Sequence, residues 1–272
     1  MSIDSAVLHA KLKEFFGFDS FKADQERIIK HLVDKKNAFV LMPTGGGKSL
    51  CYQLPALVME GTAIVISPLI ALMKNQVDAI RGFVAGNDGI AHFLNSSLNK
   101  AQIAEVRKDL LSGATKLLYV APESLTKAEN VAMLKEIKIS FYAVDEAHCI
   151  SEWGNDFRPS YHAISQFVKS LPKRPVVAAF TATATRETRE DIIRRLELVR
   201  PNIYRASFNR SNLILAVERD GGRKEKLLEF VKNHRGQSGI IYCNTRKEVD
   251  KVWGMLRRAG IPVLRYHGGM ED

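Results

Sequence analysis

Residues 37–49 read NAFVLMPTGGGKS. An apolar run of β-formers ends in a proline, three consecutive glycines, a lysine and a serine, and SLCYQLPALVM then carries apolar residues at helical spacing. A loop between a strand's carboxyl end and a helix start is where open α/β sheets bind ligands. Gly45, Gly46 and Gly47 let backbone N–H groups turn inward around phosphate oxygens with no Cβ in the way. The helix N-terminus adds partial positive charge there. In the stretch Thr44–Ser49, Lys48 can reach terminal phosphates and the Ser49 hydroxyl can coordinate Mg²⁺. The general pattern G-x-x-x-x-G-K-[ST] has a glycine where this chain has Met42, but only the inner glycines wrap the phosphates. The plainer reading, a glycine-rich turn with an exposed lysine, does not account for the strand before it and the helix after it.

The same strand–helix rhythm runs outward from this loop. TAIVIS, KLLYVA, ISFYAVDE and VVAAFTAT are apolar on both faces, as buried parallel strands are. Between them LIALMKNQVDAI and NKAQIAEVRKDLL have helical spacing. This predicts an α/β fold, a parallel sheet flanked by helices on both sides. The series closes with TRETREDIIRRLEL, and the polar stretch VRPNIYRASFNRSN (199–212) is the best linker candidate. The rhythm then restarts with LILAVE, KEKLLEFVKNH, GIIYCN, RKEVDKVWGMLRRAG and PVLRYH. Two domains are expected: 1–205, and a second at 206–272 that holds only its N-terminal part.

Of 272 residues, 46% are hydrophobic and 26% charged, ordinary for a globular protein. The net charge of +10 fits a polyanionic partner without requiring one. No apolar stretch approaches the ~18–20 residues of a membrane span, so no membrane association is expected. Cys51, Cys149 and Cys243 are odd in number and form no C-x-x-C pair, which reads as reduced thiols in a soluble intracellular protein without a zinc site in this piece. Cys51 follows the glycine loop closely, and it reads as a buried small hydrophobe.

Asp145-Glu146-Ala147-His148 ends the run ISFYAV. A carboxylate at a neighbouring strand's end can hold a Mg²⁺ shell, as Asp145 would. Glu146 can polarise an attacking water, and His148 can pass a hydrogen bond to another element. A lone acidic turn capping a strand is the alternative, but this one follows a phosphate loop by about a hundred residues and ends a buried strand.

P-T-G-G-G-K-S, then D-E-A-H, then Thr181-Ala182-Thr183, resembles the motif series of superfamily-2 helicases. FFGFDSFKADQERII, SPLIALMKNQV, YVAPESL, AVDEAHCISEWGNDFRPSY and SGIIYCNTR narrow the resemblance to the RecQ family of DNA helicases, in order and over essentially the whole chain. The resemblance implies a RecA-like domain followed by the start of a second, with ATP and Mg²⁺ as cofactors and 3′→5′ movement on DNA. It implies that Gln25 hydrogen-bonds adenine with Phe18 packed near it. Lys22 stands where the family usually has an arginine, and it lacks the planar fork that stacks on a base. It also implies that CISEWGNDFRPSY is an aromatic-rich loop sensing single-stranded DNA and coupling it to hydrolysis. Trp153 and Phe157 would stack on bases and Arg158 would meet a phosphate or a carboxylate. Thr181 and Thr183 would couple the ATP and DNA sites or cap the following helix. Arg246 would contact the DNA backbone or simply start a helix. The expected compartment is the cytoplasm with its bacterial nucleoid, or a nucleus. A narrower alternative is a truncated module that binds ATP and single-stranded DNA without unwinding, since no Q-x-x-G-R-x-G-R arginine-finger segment occurs in these residues.

Overall fold

The computed structural model of the chain describes residues 3–84, 87–152, 158–169, 175–207, 212–218 and 221–270. They fall into two compact units, Met1–Arg210 and Ser211–Asp272. The first unit is built on seven parallel strands: β1 (Ala38–Leu41), β2 (Thr62–Ile66), β3 (Ala91–Leu94), β4 (Leu117–Val120), β5 (Ile139–Val144), β6 (Val177–Thr181) and β7 (Asn202–Arg205). Their order across the sheet is β3-β4-β2-β5-β6-β1-β7.

Continuous apolar runs are needed because both faces are covered. Ala38 and Val40 enter one core while Phe39 and Leu41 enter the other, and Phe141 and Ala143 oppose Tyr142 and Val144 in the same way. Helices α1 (Ser5–Phe16), α2 (Gln25–Val33), α3 (Lys48–Val58) and α4 (Ile70–Phe83) seal the first face through Leu12, Ile28, Leu54 and Val77. Helices α5 (Lys100–Ser112), α6 (Ala128–Lys135), α7 (His162–Lys169) and α8 (Arg186–Arg195) seal the second through Leu110, Leu134, Phe167 and Ile192. The division follows from handedness. From β1 to β3 the chain steps one way along the sheet, and from β3 to β7 it steps back. A right-handed crossover puts its helix on opposite faces for the two directions.

Two strands lie where none was expected, and they are the two edges. β3 carries His92 among its apolar residues, and in β7 only Tyr204 is buried. An edge strand pairs on one side only, so its sequence keeps polar and exposed positions. The stretch read as a linker therefore contains β7, paired to β1 from Ala38↔Asn202 to Leu41↔Arg205.

In the second unit, α9 (Arg223–Asn233) and α10 (Arg246–Arg258) match the helical patterns. The runs expected as strands form no ladder among the described residues, and Ile214, Tyr242 and Leu264 stand at least 90% exposed. No helix among the described residues is long and apolar enough to cross a membrane.

Candidate nucleotide site

The glycine loop leaves β1 beside the end of β6, where Met42 N–H donates to the Thr181 carbonyl at 3.1 Å. One strand further along, Asp145 N–H donates to the Ile66 carbonyl at 2.8 Å. The sheet register thus sets the loop, the acidic turn and the threonine pair side by side at the carboxyl ends of three adjoining strands.

Within the loop, Gly45 and Gly47 have φ of 78° and 81°, the left-handed region. A Cβ on Gly47 would lie 2.2 Å from Gln25 Nε2, and one on Gly46 would lie 2.9 Å from the Pro43 carbonyl oxygen. The glycines are therefore demanded by close approach as well as by backbone sign. Gly47 is the N-cap of α3, whose first turn holds no acidic side chain to compete for its N–H groups. Lys48 turns back to donate to the Met42 carbonyl at 3.1 Å. An ammonium has three N–H donors, so this bond braces the lysine over the loop and leaves donors for anionic oxygens.

Gln25 is 3% exposed. Its Oε1 accepts from Lys22 N–H at 2.8 Å, and its Nε2 donates to the Gly47 carbonyl at 3.2 Å. The residue read as an adenine contact here ties the start of α2 to the phosphate loop. Phe18 is half exposed and Lys22 is exposed. Cys51 is buried, and burial pushes its thiol up to about 12, as suits a packed small hydrophobe.

Burial first, then the adjacent Glu146 charge, push the Asp145 carboxyl up to about 6, against the pull of the Glu146 N–H and Lys48. Glu146 holds φ of 46°, an uncommon conformation for a residue with a side chain, and its N–H donates to Asp145 Oδ1 at 3.0 Å. The Glu146 side chain lies 3.3 Å from His148 Nδ1, which is 3.0 Å from Thr181 Oγ1. The Thr181 hydroxyl spends its proton on the Thr183 carbonyl at 3.0 Å and accepts from Thr183 N–H at 3.2 Å. It can only accept from the imidazole, so His148 carries its proton on Nδ1 and shares it between Thr181 and Glu146. A continuous chain runs from the acidic turn to the end of β6. Thr185 is the residue that caps α8, its side chain accepting from Thr188 N–H.

A hard divalent cation suits the oxygens gathered here. Ser49 Oγ lies 3.3 Å from the Tyr52 phenol, which sits in the field of the Asp145 carboxylate, and a buried acid held near 6 is relieved by a nearby positive charge. No three His, Cys, Asp or Glu side chains cluster as a metal site among the described residues. Mg²⁺ needs no such cluster, since it is held through one or two protein oxygens with phosphate and water.

Thr44, Leu69, Glu146, His148, Arg158 and Thr183 line one cleft of about 330 Å³. Arg158 is fixed there by its N–H to the Cys149 carbonyl and by Nη1 to the Pro68 carbonyl at 3.3 Å. Trp153 and Phe157 lie outside the described residues. Arg246 belongs to the second unit, where it opens α10 after the Thr245 cap and lies against Gly269. Tyr52 and Tyr161, the latter donating to the Asp145 carbonyl at 3.2 Å, escaped the reading of the sequence. Tyr52 stands one helical turn after Ser49, a spacing that could have drawn notice.

Residues 22–192 match the DEAD/DEAH box helicase family. The chain is 44% identical over 262 residues to the ATP-dependent DNA helicase RecQ of Bacillus subtilis, covering 96% of this chain and 44% of that protein. It is 44% identical over 265 residues to RecQ of Pasteurella multocida, covering 97% of this chain and 40% of that one. It therefore spans less than half the length of these curated relatives. Among solved structures, the DUF1998 helicase MrfA bound to DNA superposes with a TM-score of 0.69 at 17% identity, over 94% of this chain and 38% of that one, a likeness of fold.

Proposed function

Because the chain belongs to the DEAD/DEAH box helicase family, we propose that it is the N-terminal part of a RecQ-type core that couples ATP hydrolysis to 3′→5′ movement along DNA and to unwinding. The observation that carries this reading is the hydrogen-bond chain Glu146–His148–Thr181–Thr183, which ties the acidic turn to a second strand end in the cleft that also holds Arg158. Lys48 and the loop N–H groups bind the phosphates. Glu146 takes the proton of the attacking water, and its strained backbone is kept because it aims the carboxylate into the cleft. Ser49 and Asp145 would hold Mg²⁺, which when bound supplies charge neutralisation at the β- and γ-phosphates. Phe18, Lys22 and Gln25 flank the adenine. Because Gln25 also grips Gly47, base recognition and loop geometry are set by one side chain. Trp153, Phe157 and Arg158 meet single-stranded DNA, and Arg246 a backbone phosphate, in the nucleoid or the nucleus.

In the narrower alternative the 272 residues bind ATP and single-stranded DNA but hydrolyse poorly and unwind nothing. An arginine finger is worth a factor of ~10³–10⁵ in rate, and its Q-x-x-G-R-x-G-R segment is not among these residues. The two readings separate in a strand-displacement assay with a 3′ overhang. The site itself is tested by Glu146→Gln. Nucleotide affinity should stay near the parent value while turnover, with DNA or RNA as stimulator, collapses. Affinity falling as far as turnover would place Glu146 in the binding shell and refute its role as base.

A further inference from the structure

Downstream of the acidic turn the chain is tied a second time to the strand–helix unit that holds Thr181. Ser151, fully buried, donates its hydroxyl proton to Asp191 Oδ2 at 2.8 Å. Asp191 lies on α8 and is 3% exposed. The same oxygen accepts from Arg195 Nε at 2.9 Å, and Arg194 pairs with Oδ1. Arg195 reaches on with Nη2 to the Glu152 carboxylate at 3.0 Å. One turn of α8 thus grips two successive residues that lie 40 and 43 positions back in the chain. The pairs with Arg194 and Arg195 could form as well on an exposed face of the helix, without the cost of burying a carboxylate. What burial adds is the bond to Ser151.

We infer that Asp191 is a positioning residue: through Ser151, and through Arg195 to Glu152, it fixes the point from which the chain enters the segment of Trp153 and Phe157. Glu152 immediately precedes Trp153. Beyond that segment, Arg158 is held to the Cys149 and Pro68 carbonyls at 3.0 and 3.3 Å. Both feet therefore rest on the frame that carries Glu146 and His148, and Asp191 is the buried group that secures the first of them. Stacking contributes only ~1–3 kcal/mol per base, so a foot free to shift forfeits a sizeable share of it. Apparent affinity falls in proportion to the time the foot spends in place. A break at this clasp weakens the engagement of DNA, while Glu146 keeps its own tie to β6 through His148 and Thr181.

This inference rests on the proposal that Trp153 meets single-stranded DNA, and the test separates the two. Anisotropy of a fluorescein-labelled oligothymidylate is titrated with the full 272-residue chain, parent and variants. Ser151→Ala, in which Asp191 retains both arginines, should raise Kd about fivefold, within the range of one lost hydrogen bond. Asp191→Asn should raise it at least as much, although loss of a negative charge by itself tightens binding to a polyanion. Ser151→Ala serves alone if Asp191→Asn does not fold. Ser165→Ala is the structural control. It removes the 2.6 Å bond from Ser165 Oγ to the Arg195 carbonyl, so it should lower the melting temperature comparably with Kd unchanged. Trp153→Ala should also weaken binding, and in its background the Ser151 effect should shrink below about twofold, because a foot matters only through what it positions. If Trp153→Ala weakens binding and Ser151→Ala does not, or if the two effects simply add, or if Ser165→Ala weakens binding as far as Ser151→Ala, the clasp merely packs α8 and the inference falls. If Trp153→Ala leaves Kd unchanged, the DNA reading of that segment is itself wrong and the inference falls with it.

Discussion

Removing the Thr181 hydroxyl should cut the link between the acidic turn and β6 while leaving the phosphate loop in place. Thr181 is fully buried, and Oγ1 has three partners: the Thr183 carbonyl at 3.0 Å, Thr183 N–H at 3.2 Å and His148 Nδ1 at 3.0 Å. Thr181→Val has nearly the same shape and a methyl in place of oxygen. It strands the carbonyl and N–H of Thr183, an exposed residue, and an imidazole N–H that still has Glu146. A stranded buried group costs about 1–3 kcal/mol. Water reaching the exposed Thr183 groups keeps the total near ~2 kcal/mol, or about 4–8 °C in melting temperature for a unit of this size. Thr185→Ala is the matched control. It deletes the α8 cap at about 1 kcal/mol without touching His148. The assay pairs thermal melting with the ratio of ATP hydrolysis in the presence and absence of single-stranded DNA. Both variants should melt earlier, but only Thr181→Val should lose the stimulation. Stimulation preserved in Thr181→Val, or lost equally in Thr185→Ala, would refute the chain from Glu146 to Thr183 as the coupling element.

Gln25→Ala separates the two jobs of that residue. If its grip on Gly47 dominates, affinity for adenine and guanine nucleotides should fall together by about 2–10-fold, the range of one hydrogen bond. A loss confined to adenine nucleotides, read by competition binding, would assign Gln25 to the base alone. Cys51, buried and pushed up to about 12, should resist an aromatic disulfide reagent at pH 8 until the chain unfolds, whereas half-buried Cys243 should react in the folded protein. Fast labelling of Cys51 in the native state would contradict the packing of α3.

The central strands were legible because helices on both faces force an unbroken apolar run, as in β1 and β5. The edges were not: β7 spells NIYR, with one buried residue in four. The eight-residue helices α6 and α7 also passed unread, since two turns hold too few positions to establish a period. At the site, contiguous motifs such as TGGGKS and DEAH were plain. The contacts that organise them were hidden, because His148 meets Thr181 across 33 residues and Gln25 meets Gly47 across 22. Sequence spacing reports neighbours along one element, whereas these bonds are made by the order in which strands lie beside each other.

That order governs when the site can exist during synthesis. β1 pairs only with β6 and β7, so the strand that launches the phosphate loop has no lateral partner until residues 177–205 are made. From Leu41 to Arg205 is 164 residues, about 8–33 s of translation at roughly 5–20 residues per second. Through that interval the sheet can begin at β2, β3 and β4, whose partners are nearer in sequence, while the loop has no scaffold to hold its glycines in their left-handed turns. A nascent chain should therefore acquire nucleotide affinity abruptly and late, as the first unit closes, and ribosome-bound intermediates shorter than that should compete poorly for cellular ATP.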